Sequence, residues 1–174
     1  MSFDFSIKES NQIKGVFIIR PSVSSDNRGN IWTSFMSKEI EYLLPEKLKF
    51  KHDKFSKSSN NVLRGIHGDS KSWKLVTCVS GSILQVVVDL RKNSSTYNTF
   101  ESFDINEQDI KSILIPPSMG NAYYVKSKEA VYHYKLAYNG EYIDADEQFS
   151  YKWDNPDFNI DWPAKNPILS RRDK

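Results

Sequence analysis

Three histidines occur in the chain, His52, His67 and His133, and the surroundings of His67 have chemical character. The segment SKSSNNVLRGIHGD (56–69) places Arg64 and His67 around Gly65 at the entry to a strand, and Lys74 follows seven residues after His67. A His, an Arg and a Lys on neighbouring strands of a barrel can all point inward, which suits an anionic, oxygen-rich ligand. Imidazole titrates near neutral pH and can move a proton there. A metal site needs more: His67 has Asp69 beside it, but no second histidine follows at ligand spacing. No phosphate-cradling GxxxxGK[ST] loop, GxGxxG fingerprint or GxSxG elbow occurs, so ATPase, Rossmann and serine-hydrolase chemistry have no support.

The elements that must position these residues are short and rich in Val, Ile, Phe and Tyr. They include VFIIR (16–20), NIWTSF (30–35), FKHDKF (50–55), VLRGI (62–66), KLVTCV (74–79) and ILQVVVDL (83–90), then TFESFDI (99–105), SILIP (112–116), AYYV (122–125) and AVYHYKL (130–136). Turn-forming DNRGN, SSNN, VSGS and RKNSS separate them. Many short strands at this spacing predict an all-β sandwich or barrel. In ILQVVVDL, Ile83, Gln85, Val87 and Asp89 share one face, and Leu84, Val86, Val88 and Leu90 the other. Helical signal is confined to SKEIEYLL (37–44), with Ser37 as N-cap and Pro45 as stop, and a turn near 144–148. The stretch DNPDFNIDWPAKNP (154–167) reads as an ordered wrapping segment, because Phe158, Ile160 and Trp162 need somewhere to pack.

A chain of 174 residues suits one domain, taken as 1–174, with a full hydrophobic core. A formal charge of +2 argues against a nucleic-acid partner, which needs a broad basic field. Cys78 is the only cysteine, so no intrachain disulfide forms and a reducing compartment is expected. The opening MSFDFSIKES lacks an apolar h-region, and no apolar run approaches a membrane helix. The expectation is a cytoplasmic protein with no membrane partner.

The run from VLRGIH through ILQVVVDLRKNSSTY (62–97) resembles the dTDP-4-dehydrorhamnose 3,5-epimerases, cupin-fold enzymes of nucleotide-sugar biosynthesis. GVFIIRPSVSSDNRGNIWTSF (15–35), the ILIPP strand end, AVYHYKLAY, WDNPDFNIDWP and the closing PILSRRD follow the same family's order, so the likeness covers roughly residues 15–173. The resemblance implies a cupin-type β-barrel (jelly roll) with short peripheral helices. It implies a nucleotide-diphosphate sugar substrate, dTDP- or GDP-linked, with a ketone at C4 that acidifies C3 and C5. A base removes one proton, an enolate forms, and a proton returns on the opposite face. No cofactor or metal is implied, and a homodimer is, with an N-terminal extension crossing to the second subunit. The biosynthetic setting implied is a capsule or lipopolysaccharide sugar.

Carried over residue by residue, the resemblance makes His67 the base, Asp173 its carboxylate partner and Tyr134 the acid that reprotonates the opposite face. Tyr132 shares the Tyr134 strand face and competes for that assignment. Lys74 stabilises the enolate oxygen at C4, and Arg64 and Arg28 hold the diphosphate. Arg91 is expected to pair with Asp89 or cap a turn. The chain departs from the pattern in the substrate pocket. Asn121 stands where the family has a second histidine, and Thr33 where it has a glutamate. His52 and Lys54 stand near its Gln-x-Asn pair, with Phe55 where a histidine is frequent. His52 and Asn121 are therefore candidate substrate contacts. These changes bear on the nucleotide and the sugar, a 4-keto heptose included, and on whether one or both centres invert. A 3,4-ketoisomerase and a catalytically silent sugar-binding cupin are the competing readings. A metal-dependent cupin dioxygenase lacks its ligands.

Overall fold

The computed structural model describes residues 4–174. Thirteen strands carry the described residues: β1 (Phe5–Glu9), β2 (Phe17–Pro21), β3 (Val23–Asp26), β4 (Gly29–Trp32), β5 (Phe50–Ser59), β6 (Leu63–Gly68), β7 (Trp73–Ser80), β8 (Ser82–Asp89), β9 (Phe100–Asn106), β10 (Ser112–Ile115), β11 (Met119–Val125), β12 (Glu129–Ala137) and β13 (Phe149–Ser150). A six-stranded sheet runs β1-β2-β10-β7-β12-β5, and a five-stranded sheet runs β13-β6-β11-β8-β9. The pairings within both sheets are antiparallel. Strands β3 and β4 form a separate hairpin. This is a cupin-like jelly roll, as the resemblance implied.

Strand alternation sorts the core into three layers. Between the sheets, Val76, Ile113 and Tyr132 from the larger meet Ile83, Val87, Ile105 and Tyr123 from the smaller. The outer face of the larger sheet packs Ile19, Leu75 and Leu114 under Ile40, Leu44 and Leu48, with Phe5 and Ile7 of β1 against them. The outer face of the smaller sheet packs Ile66, Val86, Val88 and Ala122 under Phe158, with Ile160 and Trp162. The two faces read from ILQVVVDL thus enter different layers, and the wrapping segment covers the second. Among the described residues no helix is long and apolar enough to cross a membrane.

One local expectation changes, in extent and in cap. The helix over 37–44 shortens to α1 (Ser37–Ile40), and a 3-10 turn continues it over Glu41–Leu43. Its N-cap is Met36, which makes no side-chain cap bond, so Ser37 lies inside the helix. Burial of Ile40 and Leu44 against the sheet decides where this segment bends, over its propensity. The second turn is a 3-10 turn over Ala145–Glu147, capped by the Asp144 side chain, which accepts from the Ala145 N–H.

Candidate active site

Strand β6 carries Arg64 and His67, and Gly65 lets it lie close on β11. Gly65 has φ +123°, and a Cβ there would sit 2.4 Å from the Ala122 Cβ. Only glycine meets both demands. One strand over, Asn121 of β11 pairs directly with His67. From the facing sheet β7 contributes Lys74, β12 contributes Tyr134 and β5 contributes Lys54 and Ser56. The C-terminal segment then returns to the mouth, anchored by a parallel bridge between Val62 and Ile168. These elements enclose a cavity of about 290 Å³ that His67, Tyr134, Asp173, Lys74, Arg64 and Asn121 all line.

His67 Nε2 lies 2.5 Å from Asp173 Oδ1, and the Asp173 side chain is 2% exposed. Ser170 Oγ donates to the other carboxylate oxygen at 2.7 Å. Burial alone would raise the Asp173 pKa. Hydrogen bonds from His67 and Ser170, the His67 charge and the Gly65 N–H outweigh it and hold the carboxyl below its ordinary value. The carboxylate is therefore ionised and able to fix the imidazole and stabilise its protonated form.

On the far side, burial pushes the Tyr134 hydroxyl well above the ordinary tyrosine value; Arg64 and Ser56 offset part of this. Tyr134 thus keeps its proton and can donate it. Lys74 Nζ lies 3.3 Å from Asp69 Oδ2, with side chains 8% and 1% exposed. Burial lowers the Lys74 pKa; Asp69 opposes that shift and the nearby Arg172 adds to it. Asp69 is itself fixed, accepting from the Lys71 and Ser72 N–H groups. A cation held so is able to stabilise an oxygen that gains charge. Lys54, Arg64, Lys74 and Arg172 line the cavity against one carboxylate, Asp173, so the cavity attracts anions.

Two expected contacts do not line this cavity. Arg28 lies at the β3–β4 turn with its side chain 85% exposed, ion-paired to Asp26 at 2.5 Å. Asp26, two residues earlier, also accepts from the Arg28 N–H, so the turn holds the guanidinium locally. His52 stands behind the wall: its ring meets Tyr142 edge-on at 4.9 Å, and the Tyr138 hydroxyl lies 3.3 Å from its Nδ1. It supports Tyr142, which does line the cavity. Arg91 pairs with Asp89 through two bonds, outside the site, as expected. His133 turns to the other sheet face and meets Asp53 at 2.7 Å. Tyr132 is fully buried behind Tyr134.

Sequence reasoning passed over Ser170, Arg172, Gln148 and Tyr142, all on the cavity wall. Arg172 adjoins Asp173, and that adjacency was the available signal. Gln85 was the other: a polar residue among Ile83 and Val87 on an inward strand face. Among the described residues no group of three or more His, Cys, Asp or Glu gathers that could hold a metal.

A sequence model for dTDP-4-dehydrorhamnose 3,5-epimerase matches residues 10–174. The dTDP-4-dehydrorhamnose 3,5-epimerase of Shigella flexneri is 34% identical over 165 residues, covering 93% of this chain and 90% of that one. The dTDP-4-dehydrorhamnose 3-epimerase of Streptomyces niveus is 32% identical, covering 93% and 78%. The structure of dTDP-6-deoxy-D-glucose-3,5-epimerase from Legionella pneumophila, in complex with dTDP-4-keto-L-rhamnose, superposes with TM-score 0.88 at 32% identity, covering 98% and 90%.

Proposed function

The chain belongs to the dTDP-4-dehydrorhamnose 3,5-epimerase family and is an isomerase, and on that premise we propose that it inverts C3, C5 or both in a dTDP-linked 4-keto-6-deoxy sugar. The observation that carries this is the placing of a histidine paired with an ionised carboxylate and of a protonated tyrosine on one cavity with a buried lysine. His67, oriented by Asp173, removes the proton next to the ketone. Lys74 holds the C4 oxygen as it becomes the enolate. Tyr134 returns a proton to the other face, which is what inverts the centre. Arg64, bonded to the protein through Ser58 Oγ, has guanidinium donors left for the diphosphate. Every step is a proton transfer, so the residues themselves suffice.

Substrate contact by Asn121, pairing of two copies as a homodimer and a cytoplasmic setting are parts of the same proposal. In a dimer the exposed Arg28 of one copy has a second cavity to reach, which its own chain does not offer it. Incubation with freshly made dTDP- and GDP-linked 4-keto sugars, hexose and heptose, tests the reading. Turnover of a dTDP sugar is expected; faster turnover of a GDP donor would reassign the nucleotide, and no turnover with any donor would reject the reaction.

A further inference from the structure

Gln85 has no exposed surface, yet it sits on the inward face of β8 between Ile83 and Val87. One end of its amide lies 2.9 Å from the Val86 carbonyl oxygen. A carbonyl oxygen only accepts, so that end is Nε2. The other end, Oε1, then accepts from the Tyr132 hydroxyl at 2.5 Å. The second Nε2 hydrogen points at Asn121, 2.7 Å away, so the Asn121 atom there is Oδ1. The Tyr132 hydroxyl lies 3.3 Å from the same oxygen. Each orientation follows from the one before, starting from an atom whose role cannot change. Asn121 lines the cavity opposite His67, and among the described residues its Nδ2 has no hydrogen-bond partner.

We infer that Gln85 is a positioning residue: anchored on the Val86 carbonyl, it turns the Asn121 amide so that both N–H donors face the cavity and bind an acceptor oxygen of the sugar beside the base. This rests on the reading that a nucleotide-linked keto sugar fills the cavity. Asn121 neither gains nor loses a proton in the working range, so it grips the sugar without competing with His67 as a base. Tyr132, whose hydroxyl burial pushes far above the ordinary value, keeps its proton and its direction.

Gln85→Glu and Gln85→Met distinguish positioning from packing. Ionised glutamate keeps the shape but loses the bond to the Val86 carbonyl, which cannot donate, and accepts where glutamine donates to Asn121, so Asn121 turns Nδ2 inward and shows the sugar an acceptor. Methionine removes the lock without imposing the reversed orientation. With the dTDP-linked 4-keto sugar, KM should rise about tenfold in Gln85→Glu and about threefold in Gln85→Met, the scale of one lost hydrogen bond. The pH profile of kcat should keep its wild-type shape. In wild-type protein the Asn121 side-chain amide resonance, assigned by its loss in Asn121→Asp, should shift when dTDP-sugar product binds. An unchanged KM in Gln85→Glu, a larger loss in methionine than in glutamate, or an unmoved Asn121 amide overturns the inference. Failure of the wild-type protein to turn over the sugar overturns instead the reading on which it rests.

Discussion

His67 Nε2 and Asp173 Oδ1 stand 2.5 Å apart although 106 positions separate them in the chain. The link closes a barrel strand onto the segment that follows Ile168, and the local scaffold holds both partners. Gly65 brings β6 against β11. Ile168 bonds on both sides of Val62, receiving from Leu63 and donating to Asn61.

Replacement of Asp173 by Asn tests that link. The variant keeps the shape and the Ser170 contact but loses the charge that stabilises imidazolium. The kcat should fall by about 10²–10⁴, with KM changed by less than about threefold. Steady-state kinetics on the dTDP-linked sugar reads this directly, and wild-type kcat would remove Asp173 from the mechanism.

Tyr134→Phe should separate proton removal from inversion. The base remains, so loss of substrate deuterium to solvent should persist. Completed inversion should slow by about 10²-fold, the usual worth of a positioned acid. Equal slowing of both would place Tyr134 in another role.

Lys74→Met removes the buried lysine proposed to hold the C4 oxygen. The kcat should drop by about 10²–10³, as for loss of one oxyanion donor. Because Asp69 is then buried without its ion pair, thermal stability should also fall, by about 3 kcal/mol. Lys74→Met,Asp69→Asn should regain stability but not activity; recovery of both would show the lysine to be structural.

Acid stability should depend on Asp89. Burial would raise its pKa, but bonds from Arg91, Ser94 and Thr96 bring it down to about 2, against an ordinary value of 3.8. A depressed carboxyl stabilises the fold above its unfolded pKa and stops doing so as pH falls through the folded one. The gap corresponds to about 2–3 kcal/mol, present at pH 5 and lost between about pH 4 and pH 2. Urea unfolding at pH 5 and pH 2 should show this loss in wild type, and a smaller one in Asp89→Asn.

Alternation made the strands legible, because each inward residue had to be apolar. ILQVVVDL divides between the inner core and the layer under Phe158 as its pattern requires. Strand β1 was not legible: Phe5 and Ile7 alternate with polar residues in only five positions, beside a start that was read for targeting signals. The shortening of the 37–44 helix depends on burial against a distant sheet. Within the site, motif order located His67, Asp173, Tyr134 and Lys74, whereas spacing alone offered only the Arg64–His67–Lys74 cluster. Arg28 and His52 do not line the cavity of their own chain, because their positions depend on partners, Asp26 for one and Tyr142 for the other. Gln85 is visible only once three side chains meet, since its part is defined by which atom donates to which.

Solvent deuterium uptake, followed by NMR in heavy water with the dTDP-linked 4-keto hexose, bears most directly on the proposed reaction. Wild-type protein should exchange hydrogen at C3, at C5 or at both, and His67→Asn should bind the sugar with exchange lowered by at least about 10³-fold. Exchange at wild-type rate in His67→Asn would contradict the assignment of the base, and no exchange at either carbon in wild-type protein would contradict the epimerase itself.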